Sequence, residues 1–462
     1  MKKITLFTAL LLMCQLTFAQ YENFDLSKYK LPEIKRHQLD FNYNFGSDLQ
    51  KNSYEESQDR SYFDLTNNLD LSYSYYRNTP KVQSNGWGTL ASALNLDHTK
   101  EEGLDKIKND FFSYYIGASF TRRVYTNSDD RWFWLSSAGL SLNQNFNHDQ
   151  DLWFYDNDYT EKYKSRNLYF QPQISVGGGF GRIEQVSDAR RAIYIVEDLY
   201  KNNKLNRLPD ENELFTIANR VAELRNQRVF DSRLRHIYEM ESLDSLLNNL
   251  NLVSDGDMEY FTSLNDMWLY GNESRYSGTR FQAEIGGKLY NHYQKQKSET
   301  YDFDYSKITT EENDNEYNEI LQLNLELQSY KPIGLKWQRD LSVYLIANRR
   351  FNDSDLNDIS SDYYLLLSGF QYGYDWFYNT RTNASFSLGG NYTRNEYIDN
   401  DSRSDRNVFA AYVSGSLNYY FSPRLKASVR ISANNNWYQN DDTSYYKVLS
   451  FASQASLNYA IF

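Results

Sequence analysis

The chain predicts an all-β fold, a transmembrane antiparallel up-and-down β-barrel of about 14 strands with an α-helical insert between the sixth and seventh strands. Three observations carry this. The strands alternate apolar and polar residues with period two, their connections alternate between short and long, and the composition is aromatic yet polar. There are 42 Tyr and 27 Phe among 462 residues, but mean hydropathy is −0.75. Aromatic girdles at two membrane interfaces, with polar residues lining an interior, produce that combination. A soluble globular protein has little use for so many tyrosines.

The first twenty residues, "MKKITLFTALLLMCQLTFAQ", have the form of a secretory signal. Lys2 and Lys3 give the positive start, Ile4 to Phe18 the apolar run, and Thr17-Phe18-Ala19 a small-x-small cleavage site. Residues 1–19 are therefore expected to be removed, and 20–36 to form a periplasmic N-terminal segment. Cys14 is the sole cysteine, so the mature chain is expected to have no disulfide and no thiol chemistry. No later stretch is long and apolar enough for a membrane helix, which leaves strands as the only way to span a bilayer.

Strands one to six are expected within 37–184 and seven to fourteen within 276–462. Their starts fall near 37, 60, 85, 110, 131, 166, 278, 315, 335, 360, 380, 405, 425 and 446. "FDLTNNLDLSYSY" sets Phe63, Leu65, Leu69 and Leu71 against Asp64, Thr66, Asn68 and Asp70. "ILQLNLELQ" and "RLKASVRISAN" repeat the pattern, one face suited to lipid and the other to water. Short links at 126–131, 378–381 and 421–424 alternate with long polar ones at 46–61, 99–109, 147–165, 294–314, 351–361 and 397–406. Membrane barrels have short turns at one end and long loops at the other.

Alternation stops between about 186 and 270, and helical periodicity replaces it. A first helix from Ser187 or Asp188 carries Ala189, Ala192, Ile193, Val196 and Leu199 on one face. A second opens with Asp210 as N-cap and Glu213 three residues on, a capping box. Its face is Leu214, Ile217, Ala218, Val221 and Leu224. A third, near 231–248, presents Leu234, Ile237, Tyr238 and Leu247, and a fourth, near 257–269, Met258, Phe261, Leu264 and Trp268. Strand parity puts this insert, bounded at 185–275, on the periplasmic side, as a hanging domain or a plug.

The stretch "ISVGGGFGRIEQ" before the insert resembles a phosphate cradle, but Arg182 stands where G-x-G-x-x-G needs its third glycine. There is no P-loop Lys-Ser/Thr pair either. Strand phase instead turns Gly177, Gly179 and Gly181 inward, as a seat on which the first helix is expected to pack. The expected lumen-facing residues are Asp40, Asp64, Asp70, Glu284, Lys288, His292, Glu326, Lys426 and Arg430. Mixed charges of this kind suit a pore or a filled interior. His37 falls in the lipid phase. His148, beside Asp149, Asp151, Asp156 and Asp158 in "NHDQDLWFYDND", has no EF-hand spacing and reads as a solvated acidic loop. No Ser-His-acid grouping can be assigned, and no cofactor or metal site is expected. The net charge of −12, with no basic stripe, argues against a nucleic-acid partner.

The chain ends "SLNYAIF", with Leu457, Tyr459 and Ile461 on one face and Phe462 last and out of phase. With the signal peptide and strand pattern, this resembles the C-terminal signal of Gram-negative outer-membrane β-barrels. The Tyr- and Asn-rich strands and the "TFAQ" site look like barrels from Bacteroidota. The resemblance implies residence in the outer membrane, contact with its lipid, and the barrel-assembly machinery as a partner during biogenesis. The first expectation for function is a transport or porin-like barrel whose periplasmic mouth the insert restricts. The alternative is an anchor that docks a periplasmic protein through 186–270, and a barrel hydrolase using His292 or His148 is the third.

Overall fold

The computed structural model describes residues 21–52, 60–101, 106–127, 131–153, 159–227, 232–270, 274–301, 307–354, 362–398, 403–422, 425–440 and 444–459. The signal peptide, Asp156 and Asp158 of the acidic loop, and the last residues of the terminal motif lie outside these.

Six long strands come first: β1 (Ile34–Asn52), β2 (Arg60–Asn78), β3 (Val82–Glu101), β4 (Lys106–Tyr125), β5 (Trp132–Trp153) and β6 (Tyr159–Gly181). After the two-residue β7 (Glu184–Gln185) come four helices, α1 (Ser187–Lys201), α2 (Glu211–Asn226), α3 (Ser232–Asn249) and α4 (Met258–Leu269). Eight long strands follow: β8 (Tyr276–Tyr301), β9 (Lys307–Ile333), β10 (Trp337–Ser354), β11 (Asp362–Phe377), β12 (Thr382–Ile398), β13 (Arg403–Ser422), β14 (Leu425–Asn440) and β15 (Ser444–Tyr459). Among the described residues this makes the expected fourteen long strands. Each pairs antiparallel with the next, so the sheet is up-and-down throughout, and β7 pairs only with the start of β8.

The ladders keep the two phases apart. Asp70 stands opposite Asn42 and Ala91, Glu284 opposite Gly177 and Asn324, and Arg430 opposite Ser416 and Gln454. One face is therefore polar across the sheet. The other exposes Ile174, Val176, Ile285, Leu321, Leu323, Val429 and Ile431. Each of the fourteen long strands exceeds the roughly 9–11 residues that cross a bilayer at a tilt.

Part of the surplus occupies segments expected as loops. "EENDNE" at 311–316 lies within β9, and residues 294–301 lie within β8. Cross-strand ion pairs run along these polar extensions, Lys295 with Glu311 and Lys307 with Glu299 at 3.0 Å. Period-two apolar residues stop there, so hydropathy alone ends the strands too early.

The sheet curls strongly. Laid flat, with neighbours about 4.8 Å apart, β2 and β13 would be on the order of 50 Å from each other. Instead a single helical unit reaches both. Tyr76 at the end of β2 packs on its core, and Tyr270 after α4 meets the ring of Tyr420 on β13. β1 and β15 stand at the ends of the hydrogen-bonded path, with no ladder between them among the described residues. Nearly all of both strands is exposed.

The helices form as their patterns predict. Asp210 and Glu213 make both bonds of the capping box at 2.9 Å, which satisfies two otherwise orphaned amides. Ala189, Ile193, Val196 and Leu199 of α1 interlock with Leu214, Ile217, Val221 and Leu224 of α2 in one dry core. The face expected on α3 needs correction, because Leu234, Ile237 and Tyr238 are exposed while Leu243 and Leu247 are buried. On α4, Leu264 and Trp268 are buried with Tyr260, whereas Met258 and Phe261 are exposed.

The N-terminal segment is part of this unit. Leu26, Tyr29, Leu31 and Ile34 are buried in the helical core. Tyr21 donates its backbone N–H to Glu197 at 3.0 Å and its hydroxyl to the Pro209 carbonyl at 2.5 Å. Burial, with help from Glu197, pushes the Tyr21 hydroxyl up to about 12, so it is a phenol donor at any ordinary pH. Among the described residues, no helix is long and apolar enough to cross a membrane.

Candidate functional site

The functional region with the most specific geometry is the end of the sheet where the short turns lie, because the helical unit covers it. Three layers build it, beginning with the docking contacts. Arg275, between α4 and β8, is fully buried and reaches across to the β9–β10 turn. Its guanidinium donates to the carbonyls of Leu335 (2.5 Å), Gly334 (3.3 Å) and Trp337 (2.6 Å), and to Oε1 of Gln338 (3.3 Å). It also lies 5.0 Å from the ring centre of Phe377, and Arg190 of α1 lies 4.5 Å from the same ring. Burial, and then repulsion from Arg190, push Arg275 down to about 9, which leaves it cationic at neutral pH.

Farther round the rim, Arg381 in the β11–β12 turn grips both carboxylate oxygens of Asp266 on α4, at 3.1 and 2.8 Å. The N-terminal segment braces the β9–β10 turn that Arg275 holds. Leu335 N–H donates to the Glu22 carbonyl at 3.1 Å, and Lys336 pairs with the Glu22 carboxylate at 2.7 Å.

The second layer is a polar strap at the exit of β6. Arg182 donates to Oδ1 of Asn78 and to the carbonyls of Thr79 and Pro80, each at 2.9 Å, and pairs with Glu184 at 2.5 Å. Burial pushes the Glu184 carboxyl up, and Arg182 opposes that shift. Gln83 joins in by donating to Asn78 (3.0 Å) and to the Ile183 carbonyl (3.1 Å), while it accepts from the Tyr125 hydroxyl at 2.9 Å.

The third layer spans the polar face of the sheet just inside. Arg123 on β4 donates to Gln282 on β8 at 3.1 and 3.2 Å, although β5 and β6 lie between those strands. Gln282 passes the connection to Glu326 (2.9 Å) and Glu284 (3.2 Å), and Ser175 donates to Glu284 at 2.9 Å. Arg280 bonds Gln328, which bonds Glu326, at 2.6 and 2.7 Å. What remains open here is a cavity of about 280 Å³ walled by Tyr76, Gln83, Arg123, Tyr276, Arg280 and Tyr330. Gln282 and Gln328 thus bridge the arginines to the carboxylates, so the charged groups of this layer are tied into one hydrogen-bonded network.

Of the nine residues expected on the inner face, Glu284 and Glu326 belong to this network. Asp40 accepts from Gln38, Asp64 from Tyr62 and Thr66, and Asp70 from Asn42, all near the β1–β2 edge. Lys288 lies four residues along β8 from Glu284, and Arg430 stands opposite Gln454. Lys426 rests 5.1 Å from the Tyr420 ring. His292 is stacked on Tyr169 at 4.2 Å with the planes 6° apart, which makes it a wall residue. His37 is on the apolar face as expected and bonds the Tyr73 hydroxyl at 2.6 Å. His148 stands 4.0 Å from Asp110, which His98 contacts at 2.7 Å.

The expectation for Gly177, Gly179 and Gly181 needs correction. What approaches them most closely is β8, not α1. A side-chain carbon added at these positions would meet the carbonyls of Ala283, Phe281 and Thr279, and at Gly179 also the Phe133 ring. The glycines let two adjacent strands fold sharply toward each other. Arg123, Gln282 and Arg280 were legible as polar-phase residues near strand ends. Arg275 was not, because it lies in no periodic segment.

Among the described residues, no group of three or more metal-ligating side chains is present. No family model and no curated relative matches the chain. Solved structures similar to it include the beta domain of the Bordetella autotransporter BrkA, at 8% identity over 93% of this chain and 100% of that one, with a TM-score of 0.20. A bacterial polysaccharide outer membrane secretin is similar at 7% identity over 92% and 98%, with a TM-score of 0.22. The siderophore receptor PirA from Acinetobacter baumannii is similar at 7% identity over 94% and 75%, with a TM-score of 0.17.

Proposed function

We propose that this chain is an outer-membrane β-barrel of the transport class, closed by pairing of β1 with β15 and gated at its periplasmic mouth by the helical unit. The observation that carries this reading is the layered cover at the short-turn end. A resident lid of four helices, held by Arg275, Arg381 and the N-terminal segment, lies over a charged constriction. A barrel that served only as an anchor has no need for a matched network across its interior. The exposed apolar face and polar opposite face supply the lipid surface and the wetted path.

Planar bilayers test this. Full-length protein is expected to be nearly silent, and a variant joined across residues 187–270 to give discrete conductance steps. Silence from both proteins refutes a gated path.

A second reading rests on α3. Leu234, Ile237 and Tyr238 lie on one exposed face, with Met258 and Phe261 exposed on α4. Such a patch suits a periplasmic protein partner. Crosslinking from Leu234 in cells is expected to capture a partner that L234E/Y238E loses; unchanged capture counts against docking there.

A further inference from the structure

The apolar face of β1 to β5 carries a groove of about 640 Å³ near the short-turn end, within the roughly 300–1,000 Å³ of ordinary ligand pockets. The strand registers stack three rows across it. Farthest from the rim are Leu39, Tyr73, Gly88, Ala118 and Leu140, each opposite the next. His37, Tyr75, Gly86, Phe120 and Ala138 form the second row. Small residues thus make a floor between aromatic walls.

The third row, nearest the rim, changes character. Lys35, Arg77, Ser84, Arg122 and Ser136 stand side by side. Lys35, Arg77 and Arg122 are all exposed, on a chain whose net charge is −12.

We propose that this is a binding site for one anionic glycerophospholipid, its phosphate held by Lys35, Arg77 and Arg122 and an acyl chain laid along the floor at Gly86 and Gly88. The inference rests on the membrane reading above and adds a defined ligand to it. Charge complementarity selects the occupant. Lys35 and Arg77 on neighbouring strands, with Arg122 two strands on and the exposed Ser136 beside it, fit a phosphate monoanion, and the aromatic-walled floor one step inward fits only something apolar attached to it. Long cationic side chains at a membrane rim can also keep their stems on the apolar surface while their heads reach the phosphate.

Gly88 offers a clean way to fill the groove. An added side-chain carbon there meets only the Gly117 carbonyl, at an ordinary 3.7 Å. Full-length protein in detergent is titrated with phosphatidylglycerol, and with diacylglycerol as the phosphate-free probe, and bound lipid is read by native mass spectrometry. The wild type is expected to hold one phosphatidylglycerol and no diacylglycerol. K35Q/R77Q/R122Q and G88L should each lower retention at least tenfold with unchanged semi-native gel mobility. Equal retention by wild type and both variants, or diacylglycerol held as well as phosphatidylglycerol, overturns the site. Protein that fractionates with the outer membrane but retains no phosphatidylglycerol refutes the site alone. Protein recovered as soluble refutes the membrane reading beneath it.

Discussion

Arg275→Met is expected to release the helical unit from the rim while leaving the sheet folded. In the variant, the carbonyls of Gly334, Leu335 and Trp337 lose a shared cationic donor, and methionine fills similar volume without replacing any bond. Charge-assisted bonds of this kind contribute about 1.5–3 kcal/mol each. Water at the rim recovers part of that, so a net loss of about 3 kcal/mol is a reasonable expectation. Since each 1.4 kcal/mol is a factor of ten, the docked fraction falls by roughly two orders of magnitude relative to the undocked one.

Two measurements follow it. Limited proteolysis should cut the variant between α2 and α3 much faster than the wild type, while the sheet stays protected. Bilayer recordings should show openings that the wild type lacks. Arg275→Lys keeps the charge but not the fork that serves several carbonyls at once, so it should fall between the two. If the methionine variant is as protease-resistant and as silent as the wild type, Arg275 does not hold the lid. By comparison the Arg381–Asp266 pair is partly exposed, with about a third of each side chain open to water, and is worth at most about 1 kcal/mol. Breaking it alone should leave the lid closed.

The strands were legible because burial on one side writes itself into every second residue. The phases of Asp64, Glu284, Glu326 and Arg430 follow from that rule alone, and the antiparallel ladders carry these residues without a break in register. Helix starts were legible where a local bond sets them, as at Asp210 and Glu213. What escaped depends on contacts distant in sequence. Leu26 and Tyr29 have no regular period, and only the folded chain brings them against α2. On α3 the apolar residues lie round the whole helix, so periodicity could not choose between Leu234 and Leu243, and the neighbouring helices decided. Arg275 belongs to the same class. A single arginine in a linker carries no pattern, yet its partners lie about sixty residues on.

The glycines of β6 mark the limit from the other side, since their shared phase is plain in the sequence while the strand that closes on them is not. Their expected role gives the second large effect. Gly177→Val or Gly179→Val should nearly abolish folded protein. At both positions the new side chain would point inward, onto the Ala283 or Phe281 carbonyl of β8. The strand cannot relieve this by a rotamer change, because the obstruction meets the first side-chain carbon and is itself backbone. The ladder must open or flatten, and flattening at β6–β8 would carry Gln282 away from Arg123 and Arg182 away from Asn78, undoing the two polar layers beneath the lid. Glycine kinks are how curved sheets turn corners, so the lesion falls on curvature itself and not on local packing. Gly287→Val is the matched control, on β8 with open space around the added carbon. Semi-native gels of outer-membrane fractions should show the compact band for Gly287→Val at wild-type level and at least tenfold less for the β6 variants. Equal bands would mean that the corner bends without its glycines.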